Sequence, residues 1–296
     1  MLSLKTLHAR GEMLSRVRAF FSQRNVLEVD TPILSRTAPV ATHIDVMTIH
    51  FVNGERGYLH TSPEYAMKRL LSEYPIDIYQ LCHVFREGES SERHNPEFTM
   101  IEWYRMGFSL EKLILETLEI IELFIGTHKP TYFTYRDLFL HYCGFDPFHA
   151  TQQDFPHTNW TVDNWLDYTM SFEIQPQMKG LIVVQNFPPS QAALAKLKQD
   201  GPSMVAERYE IYFNGLELAN GFHELTDPIE QRRRFENDLK DRAAQGKPSL
   251  PIDEHFLEAL KKGLPACSGV AVGFDRLLML QQNASSLAAV VPFTWD

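Results

Sequence analysis

The sequence predicts an α+β fold in which a mainly antiparallel sheet is flanked by helices. Six segments rich in branched and aromatic residues resemble strands, and several follow one another with no helix between them. This succession favours antiparallel pairing, because a parallel pair needs a long crossover connection. The 296 residues, 44% of them hydrophobic, suffice for one domain with a sizeable core.

The first predicted element is an amphipathic helix over roughly the first 24 residues, where apolar side chains recur at helical spacing. The segment VLEVDTPIL follows as a short strand, which Pro32 confines to an edge, an end or an interface. The six longer strands are predicted at HIDVMTIHF, IDIYQLCHVF, FTMIEWYRM, GLIVVQNF, RYEIYFNG and LELANGFHEL.

Three later helices are marked by residues that favour helix starts. One runs from Ser109, as N-cap, to Ile125, and another from Asp227 to Gln245 with Pro228 at the first helical position. A third fits residues 253–262. The region around residues 126–200 has the weakest pattern, so we expect a less regular helical and loop insertion within one domain, 1–296.

Composition argues against several classes of protein. The formal net charge of -10 disfavours a protein that binds by neutralising many phosphates, so we do not expect tRNA binding. No apolar run reaches the length of a membrane span, and the start lacks the pattern of a signal peptide. The three cysteines are odd in number and far apart, which favours the reducing cytoplasm.

Two common nucleotide-binding loops are absent from the sequence. There is no GxxxxGK[ST] motif and no GxGxxG turn that opens a βαβ unit. The segment HELTD lacks the second histidine of HExxH, which disfavours a zinc site there. Any nucleotide site must therefore use other residues.

The first candidate stretch, VFREGESSERHNPEFTMIEWY, predicts two strands joined by a polar loop. Arg86, at the end of the first strand, suits a bidentate contact with a phosphate or a carboxylate, and Phe98 could stack on a base. Taken alone, Arg86 fits a surface ion pair and Phe98 fits a core ring as well.

The second stretch, GLELANGFHEL, contains Glu217 and Glu224, seven residues apart. In a regular strand they would point to opposite faces, so the ANG between them must bend or bulge the chain if both face one site. Two carboxylates beside a triphosphate suit Mg²⁺, which prefers oxygen ligands. A solvated strand is the alternative.

The third stretch, SGVAVGFDRLLM, predicts a strand that runs through glycines into a helix. Backbone N–H groups and the helix dipole favour anions at such a helix start, and Arg276 adds a charge suited to a phosphate. The alternative is a surface pair between Arg276 and Asp275.

In combination and in this order, the three stretches resemble the signature motifs of class II aminoacyl-tRNA synthetases, over roughly residues 4–282. TSPEYAMKRLL, HNPEFTMIEWY and ELANGFHELTD resemble the catalytic domain of lysyl-tRNA synthetase. The resemblance implies the class II catalytic fold, with ATP as substrate and Mg²⁺ as cofactor.

The resemblance also implies residue roles. Arg86 would contact the α-phosphate and Arg276 a distal phosphate, which makes these two the expected catalytic residues. The implied ATP-binding residues are Arg86, Glu87, Gly88, Glu89, His94, Asn95, Phe98, Glu217, Leu218, Gly273 and Arg276. The implied substrate-binding residues are Ser62, Pro63, Glu64, Glu102, Tyr104, Asn220, Glu224 and Ala271. The implied metal ligands are Glu217 and Glu224.

In this resemblance, Glu102, Tyr104 and Glu224 would receive the side-chain ammonium of the substrate, and Glu64 its other amino group. A buried ammonium is tolerated only when carboxylates and hydroxyls pair it. A site of this kind can reject a substrate without the amine by about 10⁴-fold. We therefore expect a diamino acid as substrate.

Two departures from the synthetase pattern narrow the resemblance. The predicted catalytic helix begins almost at Met1, so we expect no anticodon-binding domain, and the chain is similar to the elongation factor P (R)-β-lysine ligase family. Membership implies an AMP-forming ligase that activates β-lysine and transfers it to a lysine ε-amine of elongation factor P. It also implies a homodimer. The alternatives are an enzyme that loads α-lysine onto tRNA or another acceptor, and a non-catalytic regulatory paralogue.

The second departure is in FREGE, where glutamates stand one and three residues after Arg86, leaving open whether Glu87 or Glu89 approaches the nucleotide. Synthetases of this class also usually have glycine at the position of Ala271. We expect the Ala271 methyl to disfavour α-lysine relative to β-lysine.

Overall fold

The computed structural model describes residues 2–154 and 160–295. Its helices in this part of the chain are α1 (Leu4–Ser22), α2 (Glu64–Glu73), α3 (Leu110–Ile125), α4 (Tyr135–Cys143), α5 (Val162–Tyr168), α6 (Pro228–Ala244), α7 (Glu254–Gly263) and α8 (Phe274–Gln281). Its strands are β1 (Leu27–Glu28), β2 (Leu34–Ser35), β3 (Thr48–His50), β4 (Arg56–Leu59), β5 (Ile78–Phe85), β6 (Glu97–Met106), β7 (Thr131–Thr134), β8 (Leu181–Phe187), β9 (Leu197–Asp200), β10 (Ser203–Phe213), β11 (Leu216–His223) and β12 (Cys267–Gly273).

The described residues form one large and one small sheet. The large sheet has nine strands in the order β1-β5-β6-β12-β11-β10-β8-β7, with β9 paired to β10. All pairs from β5 to β8 are antiparallel, whereas β1 with β5 and β7 with β8, at the two ends, are parallel. The predicted α+β class with a mainly antiparallel sheet is confirmed.

The helix starts agree with the predicted caps. The Ser109 side chain accepts a hydrogen bond from the Lys112 N–H at the start of α3. Asp227 caps α6 through two backbone N–H groups, and Pro228 occupies its first turn. These caps depend only on residues within one turn, which is why the local sequence predicts them.

Two predictions of local structure need correction. In HIDVMTIHF, the strand covers Thr48–His50 alone and belongs to the small sheet, in the order β2-β4-β3. All three of its residues are exposed, so no buried face extends it. Helix α2 was not predicted, since it has ten residues and Pro63, at its N-cap, makes no side-chain cap.

Residues 126–200 contribute regular strands to the large sheet in addition to helices and loops. They contribute β7, β8 and β9 to the large sheet, and β8 pairs along its length with β10. Helices α4 and α5 then cover this end of the sheet with a cluster that includes Phe139 and Leu166. Among the described residues of this region, those at 144–154 and 188–196 contain neither an α-helix nor a strand.

The two faces of the central strands differ in character. On one face, Ile101 and Trp103 of β6 and Val270 and Val272 of β12 are buried beneath α1, α3 and α8. Because side chains alternate along a strand, the intervening residues of β6 and β12 point to the opposite face, which carries the candidate site. Among the described residues, no helix combines the length and apolar character needed to cross a membrane.

Candidate active site

Strand register brings several predicted substrate residues into rows on this opposite face. Ala271 of β12 lies between Glu102 of β6 and Asn220 of β11 in one row. The next row places Gly269 between Tyr104 and Phe222. These two rows form a floor to which three separate parts of the sequence contribute.

Gly269 leaves space that the pocket residues fill. A Cβ added at Gly269 would lie 2.3 Å from the Tyr104 ring and 2.6 Å from Oε1 of Glu224. Real Cβ atoms do not approach other atoms so closely, so a side chain here would displace both residues. The first glycine of SGVAVG is therefore required by pocket packing.

A bulge in β11 turns Glu217 toward this face. Ile211 pairs with Ala219 and Tyr212 with Glu217, which leaves Leu218 as the extra residue. The irregularity predicted within the segment ANG therefore lies immediately before it, at Leu218. The Leu218 side chain is buried in the core on the far side of the sheet, so only its backbone could face ATP.

The amine end of the site is an acidic pocket built around a lysine that sequence reasoning missed. The ammonium of Lys68, on α2, lies 2.7 Å from Oε1 of Glu64 and 2.5 Å from Oε2 of Glu224. Glu102 is 2% exposed and accepts a 2.7 Å hydrogen bond from the Tyr104 hydroxyl. Half-buried Glu64 and buried Glu224 thus share one ammonium, and buried Glu102 has no cation in contact.

The excess of carboxyl groups over cations shifts the pKa values of the pocket residues. Burial raises the pKa of Glu102 well above its ordinary value, and Glu64 and Glu224 raise it further. The pKa of Glu224 rises to about 8, mainly through burial, even though Lys68 opposes the rise. The two carboxylates keep the pKa of Lys68 above its ordinary value despite its burial.

Polar atoms without partners mark where a ligand would complete the site. Oε2 of Glu102 and Oδ1 of Asn220 are buried acceptors with no hydrogen-bond partner among the described residues. Nε of Arg86 is a buried donor with none. A ligand that satisfies all three atoms carries donors at one end and an acceptor at the other.

The predicted phosphate residues meet at the other end. The Arg276 guanidinium lies 2.8 Å from Nε2 of His94 and donates to the carbonyl oxygen of Glu217, also at 2.8 Å. Burial lowers the pKa of His94, and the neighbouring Arg276 lowers it further. Gly273 is the N-cap of α8, three residues before this cation.

Arg86 and Phe98 form a second pair in the same region. The guanidinium carbon of Arg86 lies 5.1 Å from the centre of the Phe98 ring. Oε1 of Glu89 is 3.7 Å from Arg86, whereas Glu87 is exposed. The geometry therefore puts Glu89, and not Glu87, beside the predicted phosphate ligand, with Gly88 forming the turn at a φ of 79°.

The remaining predicted binding residues are held by hydrogen bonds or lie at a helix start. Asn95 donates to the Glu97 carbonyl and accepts from the backbone N–H of Trp295, so the C-terminal segment holds it in place. Ser62 and Pro63 directly precede α2, and the Ser62 hydroxyl lies 3.5 Å from the backbone nitrogen of Glu64.

Asp275 is not a surface partner of Arg276. It is 2% exposed, forms a 2.5 Å salt bridge with Arg10 of α1, and accepts a hydrogen bond from the backbone N–H of Thr99. The alternative of a surface pair between Asp275 and Arg276 is therefore wrong. The aspartate ties the start of α8 to α1 and β6, and Arg276 stays available to the site.

The carboxylates expected to share a metal are far apart. From Glu217 to Glu224 an extended strand spans about 20 Å, too far for both to bind one ion. Glu224 is committed instead to Lys68. The prediction that both ligate one metal is therefore corrected.

Glu210 is the carboxylate that lies beside Glu217. It stands two residues before Tyr212, the β10 partner of Glu217, so both face the same side. Burial raises the pKa of Glu210 and Glu217 raises it further, while Arg208, 2.5 Å away, lowers it. No cluster of three or more metal-ligating side chains occurs in the described part of the chain, so a metal at Glu210 and Glu217 needs further oxygens from a ligand.

Comparison with known proteins identifies the family of the chain. The model of one protein family, tRNA synthetases class II (D, K and N), matches residues 3–296. A protein of Edwardsiella ictaluri named elongation factor P (R)-beta-lysine ligase is 42% identical, over 97% of this chain and 94% of its own length. Proteins of the same name from Mannheimia succiniciproducens and Salmonella typhi are 40% and 39% identical, over 98% and 99% of this chain and 95% and 96% of their own lengths. The chain therefore belongs to the class II tRNA synthetase (D, K and N) family.

Proposed function

We propose that the chain is an ATP-dependent, AMP-forming ligase that activates β-lysine and transfers it to a lysine ε-amine of elongation factor P. The relatives with this printed name cover nearly the whole chain. The observation that carries the proposal is the acidic pocket. Its three carboxyl groups outnumber its one ammonium by two, and Glu102 keeps an unpartnered oxygen.

Charge balance selects the substrate class. Bound ammonium groups favour the ionised form of the carboxyl groups beside them, and with all three ionised a molecule with two ammonium groups neutralises the pocket. A molecule with one ammonium leaves a carboxyl group without a counter-charge. The unpartnered Nε of Arg86 at the other end suits the substrate carboxylate or the α-phosphate of ATP. β-Lysine has two ammonium groups and one carboxylate, which matches both ends.

In the first step, a carboxylate oxygen of β-lysine attacks the α-phosphorus of ATP. The new P–O bond forms as the bond to pyrophosphate breaks, which gives an aminoacyl adenylate. Arg86 would hold the α-phosphate, and His94 and Arg276 the distal phosphates, with adenine on the Phe98 ring. These groups act by positioning and charge stabilisation, since no side-chain nucleophile is needed.

In the second step, the acceptor amine attacks the adenylate carbonyl carbon, and AMP leaves as the amide forms.

Glu210 and Glu217 would hold Mg²⁺ together with phosphate oxygens of ATP. When bound, the ion neutralises part of the phosphate charge. Their positions on one face of neighbouring strands β10 and β11 fit an oxygen-ligated ion.

The proposal includes a homodimer in the cytoplasm. Leu27, Ile33 and Leu34, in the segment around Pro32, are each at least 40% exposed in the single chain. Exposed apolar side chains grouped in this way favour a subunit contact. The three free cysteines are compatible with a reducing compartment. Light scattering at defined protein concentrations tests the dimer.

ATP–pyrophosphate exchange, with β-lysine and α-lysine separately, tests the activity. We expect exchange with β-lysine, and a mass increase of one β-lysyl group on elongation factor P. Charging of tRNA without protein modification would instead support an α-lysine enzyme. Absence of exchange with every diamino acid would support a non-catalytic paralogue.

A further inference from the structure

Lys68 is the one described cation that contacts two of the pocket carboxylates at once. It follows Glu64 by one helical turn on α2, and its side chain is fully buried. Its ammonium also lies 6.0 Å from the centres of the Tyr104 and Phe256 rings. A buried ammonium is costly unless paired, so its position depends on Glu64 and Glu224.

The neighbours of Lys68 do not require a charge for packing. Met67, Leu71 and Phe256 belong to an apolar cluster beside it. A methionine of similar length would fill the same volume without any desolvation cost. The ammonium is therefore better explained by the pocket than by the core.

Glu64 and Glu224 belong to different halves of the proposed substrate site. Glu64 begins α2 and Glu224 follows β11, and we assign one to each substrate amine. Lys68 bridges the two at 2.7 and 2.5 Å, so it fixes both carboxylates relative to each other. It also reduces the excess of carboxyl groups over cations in the pocket from three to two.

We propose that Lys68 is a positioning and specificity residue that sets the pocket to accept two substrate ammonium groups. This inference rests on the proposed function. Without Lys68, Glu64 and Glu224 lose their shared anchor and compete for protons. Activation of a substrate with both amines then decreases most, because its binding requires both carboxylates to be oriented and ionised. A substrate with one amine depends on them less.

The experiment compares β-lysine with 6-aminohexanoate, which lacks the second amine, by ATP–pyrophosphate exchange. In Lys68→Met we expect kcat/KM for β-lysine to fall by about 100-fold or more and that for 6-aminohexanoate by less than about 5-fold. The matched control is Arg105→Met. Arg105 is also a buried cation between two carboxylates, Asp77 and Glu116. Glu116 lies on α3, on the face of the sheet opposite the pocket, so Arg105 does not contact the substrate site. It should leave the ratio of the two substrates unchanged.

Chemical rescue separates a pocket role from a packing role. In Lys68→Ala, propylammonium replaces the deleted atoms together with their charge, whereas 1-propanol replaces only their volume. We expect propylammonium to restore β-lysine exchange at least tenfold and 1-propanol to have no effect.

Three outcomes would overturn the inference: equal losses for both substrates in Lys68→Met, rescue by 1-propanol, or failure of both variants to fold. Wild-type protein without exchange on any diamino acid would instead overturn the proposed function itself. Thermal unfolding of each variant shows whether it folds, and a shift of the unfolding temperature on addition of ATP shows whether it still binds the nucleotide.

Discussion

Arg10 and Asp275 form a buried salt bridge of 2.5 Å that joins the first helix of the chain to the last strand-to-helix turn. Asp275 also accepts a 2.6 Å hydrogen bond from the backbone N–H of Thr99. The neighbouring Arg276 points into the site. The pair therefore fixes the helix start that presents the phosphate-binding cation.

Breaking this pair should lower both stability and activity. In Asp275→Asn, Arg10 is left as a partly buried charge without its counter-ion, so we expect a loss of about 3–5 kcal/mol in the free energy of unfolding. Urea denaturation measures it. The exposed pair of Arg18 and Glu28 is the control, and Arg18→Gln should cost less than about 1 kcal/mol. Equal effects of the two changes would contradict the assigned role.

Arg276→Gln should reduce activation without unfolding the protein. The guanidinium contacts His94 and the Glu217 carbonyl but no buried carboxylate at hydrogen-bond distance. We expect kcat/KM for ATP–pyrophosphate exchange to fall by about 10²–10³-fold, as for other lost charge-stabilising contacts. Arg232→Gln, which removes a surface pair with Glu254, should leave exchange unchanged. Full activity in Arg276→Gln would rule out a phosphate contact.

Glu210→Gln should weaken the response to Mg²⁺ more than Glu224→Gln does. Glu210 lies beside Glu217 across the β10–β11 pair, whereas Glu224 pairs with Lys68. We expect the Mg²⁺ concentration for half-maximal exchange to rise at least about 10-fold in Glu210→Gln. Glu224→Gln should mainly raise KM for β-lysine. The reverse pattern would restore Glu224 as the metal ligand.

Local signals predicted the helix caps and most strands, because each depends on a few neighbouring residues. Ser109 and Asp227 are examples. Glu210 could not be chosen as a metal ligand from the sequence. The bulge at Leu218 sets the register that brings Glu217 to the same face as Glu210, and no local pattern predicts that bulge. Lys68 was missed for a similar reason, because its role depends on Glu224, which the fold brings to it from a distant strand.

The family resemblance identified site residues that residue types alone left ambiguous. Arg276 could equally have paired with Asp275 until the fold showed that Arg10 takes that position. Glu87 and Glu89 were likewise separated only by the conformation of the loop. Sequence motifs thus selected the candidates, and long-range contacts decided between them.

The raised pKa of Glu224, about 8, predicts opposite pH trends for binding and stability. Between pH 4.5 and about 8 the folded protein holds a proton that the unfolded chain has lost, so this group's stabilising contribution falls as pH rises across that interval and is fully lost above about 8. Substrate ammonium needs the ionised form, so kcat/KM for β-lysine should rise over the same interval.

Exchange kinetics and thermal unfolding from pH 6 to about 9 measure both trends. The groups that face Glu224 are Lys68 and Glu64 from α2, Glu102 and Tyr104 from β6, Tyr209 from β10 and Cys267 from β12. In Glu224→Gln the rising part of the kcat/KM profile should be lost. A wild-type profile that is flat between pH 6 and about 9 would contradict the prediction.

Ala271→Gly should relax the choice between α-lysine and β-lysine. Ala271 stands between Glu102 and Asn220 in one row of the pocket floor, so its methyl occupies space beside the substrate amines. A single methyl contributes about 1–3 kcal/mol of discrimination, so the preference for β-lysine should fall by about 10-fold and not disappear. Exchange with each isomer measures the ratio. Gly269→Ala is the contrasting variant, because its methyl would clash with Tyr104 and Glu224 and should abolish exchange with both isomers. If α-lysine activation does not rise in Ala271→Gly, the isomer preference comes from the carboxylates and not from the methyl.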